Sequence, residues 1–528
     1  MKIDKYKLYY KTQSKTFLLT MVFVVIFIFL IASTIVNSTK SELLYTKSIF
    51  DNLNLLQIID LNTNSYQEEL GKALSNPQLS IEELLNFIEN ISYIDNVKIV
   101  EITISQLEKY QAINSSYPAM SLFLKVQINN EKLIELLDYS KQNTSTKYTY
   151  RLISFYYMVK KDIPQALDAI KLETTLYESE VCKDRLVSCL IQLKKIDELE
   201  LLEKNPAFES QKDDISKAIL LEKKTWALLF KAILKSQFNP TINGIFFLTI
   251  LTGLVWFTIW LHALRPEGLL SATILSLFAF GLGIFSTSLT IFIIYIEEDL
   301  FHMSEGISLI QGFLYFILGV GLREEFSKIL VFTVLIPILL KRKNALEWLI
   351  IPGMVGLGFA VEENLNYFLV SDGTALPGRF LTANFFHVAL TAIAGESLCH
   401  YFFTRSRGPE HVISTFSMVV IMHGLYDAFI AVKALQQLNF VTSLVFIYSL
   451  FLFFGRLKDL RPNNREPISL TTHFILGISI LFMSAFIYVS YGGGHFHAFQ
   501  VLMPAILDLL ITIYMFLYFM PNSIIKVF

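Results

Sequence analysis

Hydrophobic patterning divides the chain into three stretches. Lys2, Lys5, Lys7, Lys11 and Lys15 precede an apolar run from Thr16 to Val36. That run exceeds a signal-peptide core and no small-residue cleavage site follows it, so an uncleaved anchor with a cytoplasmic N-terminus is expected. Residues 40–240 show helical periodicity and no second span. From Ile242 on, apolar runs alternate with short polar loops, near 242–262, 269–296, 307–340, 349–369, 380–403, 412–433, 439–454, 468–490 and 498–519. With the anchor, the pattern predicts an all-α polytopic membrane protein of about ten spans carrying one helical domain between its first two.

The 307–340 run would rise ~51 Å as one helix against a hydrocarbon core of ~30 Å, so it is either two spans or a lead-in helix and one span. Charge chooses between these. With one crossing, Arg265, Lys341, Arg342, Lys343, Arg405, Arg407, Arg456, Lys458, Arg461, Arg465 and Lys526 all fall on the cytoplasmic side. The opposite loops then hold only Arg379 and Lys433 among bases, beside Glu297, Glu298, Asp299 and Glu305. This satisfies the positive-inside rule, whereas two crossings would break it for every later loop. Both termini are therefore expected in the cytoplasm and residues 41–240 outside it.

Within that outward segment, Arg151-Leu152-Ile153-Ser154 recurs as Arg185-Leu186-Val187-Ser188, and Lys160-Lys161 as Lys194-Lys195, at an offset of 34. Residues 117–142 look like a looser third copy. The period is that of tetratricopeptide-like hairpins, but the usual Trp/Gly/Tyr pattern is missing and a plain helical bundle fits equally well. No cluster of His, Cys or carboxylates occurs there, which suggests docking or gating rather than catalysis. Lys224, Lys231 and Lys235, set opposite Trp226, Phe230 and Ile233, predict a helix lying in the membrane interface.

Composition supports this outline. The chain is 53% hydrophobic and 17% charged, with a mean hydropathy of +0.50. A net charge of −2 and the lack of a basic stripe exclude a nucleic-acid partner. The three cysteines form no disulfide framework. Cys182 and Cys189 would stand about 10 Å apart along a helix, too far to bridge, and read as small buried hydrophobes.

Four apolar runs carry groups that do not belong in lipid. Glu324, Glu325 and Lys328 lie in the first, and Glu363, Asn364 and Tyr367 in the second, after Gly356 and Gly358. Arg379, His387, Thr391 and Gly395 follow, then His423 and Asp427, four apart on one helical face. Each charge near a bilayer centre costs about 2.5–3.5 kcal/mol on insertion scales, so such residues usually face a cavity. The bland alternative is a self-neutralised ion pair holding helices together, since Lys328 is within reach of both carboxylates along one helix. Depth argues against it. Measured from the cytoplasmic end of each run, Glu324, Glu363 and His387 rise by about 24, 21 and 24 Å, and His423 and Asp427 by about 17 and 22 Å. Independent helix contacts would not need a shared layer. A carboxylate base with two imidazoles in a wet pocket can activate water against an amide, and the histidines can ligate a metal or polarise a carbonyl.

Glu324-Glu325-x-x-Lys328, Gly-Phe-x-x-x-Glu363-Asn364-x-x-Tyr367, Arg379…His387-x-x-x-Thr391-x-x-x-Gly395 and His423-x-x-x-Asp427 together resemble the PrsW family of intramembrane proteases. These are distant relatives of the CAAX prenyl endopeptidases and bacteriocin-processing proteins. The resemblance covers about 265–434. It implies peptide-bond cleavage in or near the membrane, in a bacterial plasma membrane, on a membrane-anchored substrate such as an anti-sigma factor or another single-span protein. It also implies that Glu324 and Glu325 are the catalytic pair. His387 and His423 would position water, stabilise the oxyanion or bind a metal, with Asp427 a further candidate ligand. Lys328, Glu363, Asn364, Tyr367, Arg379 and Thr391 would support them. Zinc, another divalent ion, or a metal-free glutamate mechanism all remain open. Asp427 departs from the Asn expected at its position. His-Glu-x-x-His is absent, which excludes a site-2-type zinc protease, and no Gly-x-Gly-Asp accompanies Tyr426-Asp427, which argues against the presenilin type.

The domain reading is an N-terminal anchor over 1–40, an extracytoplasmic helical domain over 41–240, a protease core over 241–435 and further membrane helices over 436–528. A proton- or cation-coupled transporter is the rival from another class, because buried Glu, Lys and His chains also make proton relays. Its weakness is that the polar runs are consecutive and no second set follows. A receptor binding lipid or peptide through a decayed site is a third reading. Glu396 and His400 are expected to be a structural pair, and His495 and His497, after three glycines, to lie in a solvated loop.

Overall fold

The computed structural model describes residues 14–38, 63–76, 79–91, 97–143, 146–177, 179–240, 242–264, 269–301, 309–371, 373–404, 408–461 and 469–520. The N-terminal lysines Lys2, Lys5, Lys7 and Lys11, and Arg265, Glu305, Arg405, Arg407, Arg465 and Lys526, lie outside the described residues. Two compact units are present, residues 1–39 with 233–528, and residues 40–232. No strand occurs among the described residues.

The first unit holds the apolar helices, labelled here in chain order: α1 (Lys15–Ser38), α2 (Gly244–Leu264), α3 (Leu269–Phe301), α4 (Leu322–Phe332), α5 (Ala345–Val370), α6 (Ala383–Thr404), α7 (Pro409–Ala431), α8 (Phe440–Leu460), α9 (Leu470–Asp508) and α10 (Leu510–Phe519). Seven helices among the described residues are long and apolar enough to cross a membrane, or eight if the bent pair Gly494–Asp508 and Leu510–Phe519 contributes one more. The sequence pattern predicted about ten. The two runs not in that set are 307–340 and 380–403, which carry most of this unit's buried ionisable groups. The first is not one helix: it breaks into Leu309–Leu314, a π-helical turn Tyr315–Gly321, α4, a 3-10 turn Thr333–Leu335 and a helix Ile336–Arg342.

α5 is the hub, packed on α6, α3 and α2. Within its apolar window 89% is buried inside the protein, against 11% for α1. Small residues make this possible, as expected where lipid gives helices no hydrophobic drive to associate. A Cβ at Gly358 would run into the Phe280 carbonyl of α3, and one at Gly356 into the His387 carbonyl of α6. Across the outer faces of this hub, Trp256, Trp260, Phe385, Phe454 and Phe516 form a buried aromatic core from α2, α6, α8 and α10.

One expectation for the C-terminal region is corrected and one holds. The triple glycine opens no extended loop between spans: α9 is two helical segments that meet at a break at Gly494, whose φ of 83° is not helical. His495 therefore lies in a helix, its Nε2 2.9 Å from Ser33 Oγ of α1, and Ser33 also meets Ser490 at 2.8 Å. The His497 side chain lies outside the described residues. Glu396 does pair structurally: its Oε1 is 3.5 Å from His400 Nε2, and Arg456 Nε donates to its Oε2 at 3.1 Å.

The second unit is helical, with a buried polar centre. Arg151 is fully buried, and its Nε donates to Glu89 at 2.9 Å and its Nη1 to Glu82 at 2.5 Å. Arg185 reaches the same Glu89 at 3.1 Å and donates to the Arg151 carbonyl at 2.8 Å. Cys182 and Cys189 are buried and unbridged, and burial pushes the Cys182 thiol up to about 11. Lys224 is not opposite Trp226 as the helical spacing suggested. It precedes that helix with a left-handed backbone and its ammonium sits 5.7 Å from the Trp226 ring.

Candidate active site

The π-helical turn Tyr315–Gly321 delivers the first acidic pair. Such turns recur at functional sites because the extra residue re-aims the side chains that follow. Here Gly321 lies 2.7 Å, at its would-be Cβ, from the Val420 carbonyl of α7, so only glycine fits. The counterpart Gly424, beside His423, faces Phe316 and Ile317 across the same contact. The glycines thus seat α4 and α7 closely enough for their acids and imidazole to meet.

Glu325 is the anchored member of the pair. It is fully buried, and its Oε1 lies 2.8 Å from Lys328 Nζ and 2.7 Å from His423 Nδ1, while Thr391 Oγ1 is 3.5 Å from its Oε2. Glu324 is more loosely held, its Oε2 3.5 Å from both Lys328 Nζ and His423 Nε2.

Lys328 is the hub of the charges. Beyond the two glutamates, its ammonium lies 2.8 Å from His387 Nδ1 and 4.0 Å from the centre of the Phe359 ring. An ammonium can only donate, so Nδ1 of His387 accepts and a neutral ring carries its hydrogen on Nε2. That Nε2 faces Glu363 Oε2 at 2.9 Å. Glu363 in turn takes Arg379 Nη2 at 3.1 Å, and Arg379 donates to Asn364 Oδ1 at 2.5 Å while its guanidinium stacks 3.5 Å from the Tyr367 ring centre. Asn364 completes the chain by donating to Asn384. His423 Nε2 lies 3.3 Å from Asp427 Oδ2.

All the residues singled out from the sequence are therefore brought together: Glu324, Glu325, Lys328, Glu363, Asn364, Tyr367, Arg379, His387, Thr391, His423 and Asp427. They wall or underlie one cavity of about 680 Å³. Glu324, Glu363, Tyr367, Arg379, His387, His423 and Asp427 line it directly, with Phe316, Phe386 and Tyr426 as apolar wall. Glu325, Lys328 and Thr391 sit behind that wall. Sequence reasoning passed over Asn384 and Asp508, and quoted Phe359 within the Gly-Phe motif without giving it a role. Asn384 carried a readable signal, being an amide in an apolar run three residues before His387. Asp508 carried a similar one, a carboxylate within the apolar run 498–519.

Glu324, His387 and His423 each offer one ligand atom, and these atoms lie within 4.8 Å of one another. Two imidazoles and a carboxylate, with space left for water, are the donor set of many catalytic zinc sites, so the residues fit a divalent ion in type and number. The compact trio holds Glu324 where the sequence expectation had Asp427, which stands one step back against His423. Lys328 already brings a positive charge to the edge of this trio.

Comparison with curated proteins and with solved structures returns no match. Residues 272–454 match the family model described as PrsW family intramembrane metalloprotease. That segment holds every residue of the cavity's catalytic wall, so the match supports a protease, a peptide-bond hydrolase, over 272–454.

Proposed function

We propose that the cavity hydrolyses peptide bonds of membrane-anchored, single-span proteins, with Glu324 as the group that activates water. The observation that carries this is the difference between the two glutamates. Glu325 is fully buried and held by three partners, whereas the Glu324 side chain keeps 13% exposure and lines the cavity. A base must reach its water, and only Glu324 does so.

Glu324 takes a proton from water as the water oxygen bonds to the scissile carbonyl carbon. Negative charge grows on the carbonyl oxygen, where an N–H on His423 Nε2 can receive it. Glu324 then returns the proton to the amide nitrogen as the C–N bond breaks, leaving a new carboxyl terminus and a new amine. Glu325 fixes His423 through Nδ1, and Lys328 and Glu363 fix His387 through its two nitrogens. General-base and oxyanion contributions of this kind are each worth roughly 10²–10⁴-fold and 10²–10³-fold. If a divalent ion is bound, Glu324, His387 and His423 would hold it, and it would supply Lewis-acid activation of water or carbonyl.

Residues 41–240 are read as an extracytoplasmic helical, tetratricopeptide-like domain that inspects substrates, with both termini in the cytoplasm of a bacterial plasma membrane. The distribution of Lys and Arg supports this orientation, and the family's action on anti-sigma factors suggests the substrate class. The family match disfavours the transporter reading. Comparing the terminal peptides of membrane proteins in cells carrying wild type or Glu324→Gln tests the function. Cleavage products that appear only with wild type are expected. Identical product sets from stable, inserted proteins would refute it.

A further inference from the structure

One wall of the catalytic cavity comes from outside the family segment. Ala505, Asp508 and Leu509, at the junction of α9 and α10, line it together with residues of α7 and of the short helix Leu376–Leu381. Pro504 lies just before, and the two helices bend by 46° there, which turns Asp508 toward the cavity instead of continuing the apolar face. An aspartate in a segment otherwise as apolar as Leu510–Phe519 requires a reason, since helix ends near lipid keep carboxylates only where something offsets them.

Charge accounting around the cavity shows what is missing. Arg379 is engaged by Glu363, Asn364 and the Tyr367 ring. Lys328 is engaged by both catalytic glutamates and His387. Asp427 faces His423. Among the described residues no cation is recorded against Asp508, an exposed carboxylate on the cavity wall. Asp508 is thus a wall carboxylate that shares in none of these ion pairs, held by an element that the catalytic machinery does not otherwise use.

We propose that Asp508 is a specificity residue that selects substrates carrying Lys or Arg within a few residues of the scissile bond. This rests on the reading of the cavity as the hydrolytic site. A cavity of about 680 Å³ is within the ~300–1,000 Å³ usual for ligand pockets, large enough for side chains flanking the cleaved bond. Basic residues also mark the ends of single-span helices, so the selected chemistry is one a membrane-anchored substrate presents. A complementary charge here attracts, and an acidic substrate residue is repelled, which makes the discrimination two-sided.

The test uses full-length protein in liposomes of phosphatidylethanolamine and phosphatidylglycerol. The probes are matched quenched-fluorescent single-span peptides with Lys, Gln or Glu at each position flanking the helix end. The readout is the ratio of kcat/KM for Lys over Glu peptides within each enzyme, which a merely structural role would leave unmoved. Wild type should prefer Lys by roughly three- to tenfold, the range of a partly exposed ion pair. Asp508→Asn should bring the ratio near one, and Asp508→Lys should invert it. Ratios in both variants equal to that of wild type, or a wild-type preference for Glu, would overturn the proposal. Asp508→Asn is nearly isosteric at an exposed position and carries the test if the lysine variant misfolds. Glu324→Gln separates the two readings: undiminished cleavage by it refutes the hydrolytic assignment while the Asp508 ratio is still read. A wild type that cleaves no peptide counts against both.

Discussion

Lys328 has no exposed surface, yet its ammonium is surrounded by two carboxylates, an imidazole and an aromatic face. Removing one partner of such a buried pair leaves the other charge stranded, at a cost of about 3–5 kcal/mol. Lys328→Met should therefore lower the Tm markedly. Adding Glu325→Gln should restore much of it, because both charges are then gone, while cleavage stays lost. Thermal unfolding of the single and double variants checks this; additive destabilisation would contradict the pairing. Arg151 makes the same point in the other unit, where Glu82 and Glu89 depend on it. Arg151→Met should destabilise that unit by a similar ~3–5 kcal/mol, seen by hydrogen exchange confined to residues 40–232. At this scale the sequence was informative where partners share a helix. The spacing of Glu325 and Lys328, or of His423 and Asp427, predicts contact directly. Lys328 against His387 could not be read, since it depends on how α4 and α6 pack.

The elements that place the site depend on glycine and on a break in helical regularity. A hydropathy profile treats 307–340 as one apolar run, but its backbone changes from α to π to 3-10 around the charged turn, and a profile averaged over a span cannot register that. Gly356 has a clearer consequence. Its missing Cβ lets the His387 carbonyl of α6 sit against α5, and a methyl group there must push the helices apart. Misplacement by about 1 Å costs up to roughly 10²-fold in rate. Gly356→Ala should lower kcat by ten- to a hundredfold with a smaller effect on stability, measured on a reconstituted peptide substrate. A glycine-to-alanine change with full activity would show that His387 does not need this contact. The break at Gly494 was legible as a glycine run, but the helix that resumes directly after it, with His495 against Ser33 of α1, depends on tertiary packing.

At the scale of the molecule, the all-helical character and the clustering of four polar runs were legible from apolar length and from side-chain depth. The span count was less so, because the two runs richest in buried charge depart from the profile of an ordinary span. Metal dependence also belongs to the whole assembly. If the Glu324, His387 and His423 trio holds an ion in the working enzyme, chelation should abolish cleavage and zinc should restore it. With Lys328 and Arg379 supplying the positive charge and no metal taking part, chelator should leave the rate unchanged, so metal analysis beside the assay distinguishes the two. Deleting residues 40–232 should change which membrane proteins are cut if that unit inspects substrates, and an unchanged product set would remove that role.

The most direct measurement is the cleavage rate of a reconstituted single-span peptide by wild type, Glu324→Gln and Glu325→Gln, each shown by thermal unfolding to be folded. The account predicts a loss of about 10²–10⁴-fold for Glu324→Gln, the scale of general-base catalysis. A folded Glu324→Gln protein that cleaves at the wild-type rate would contradict it.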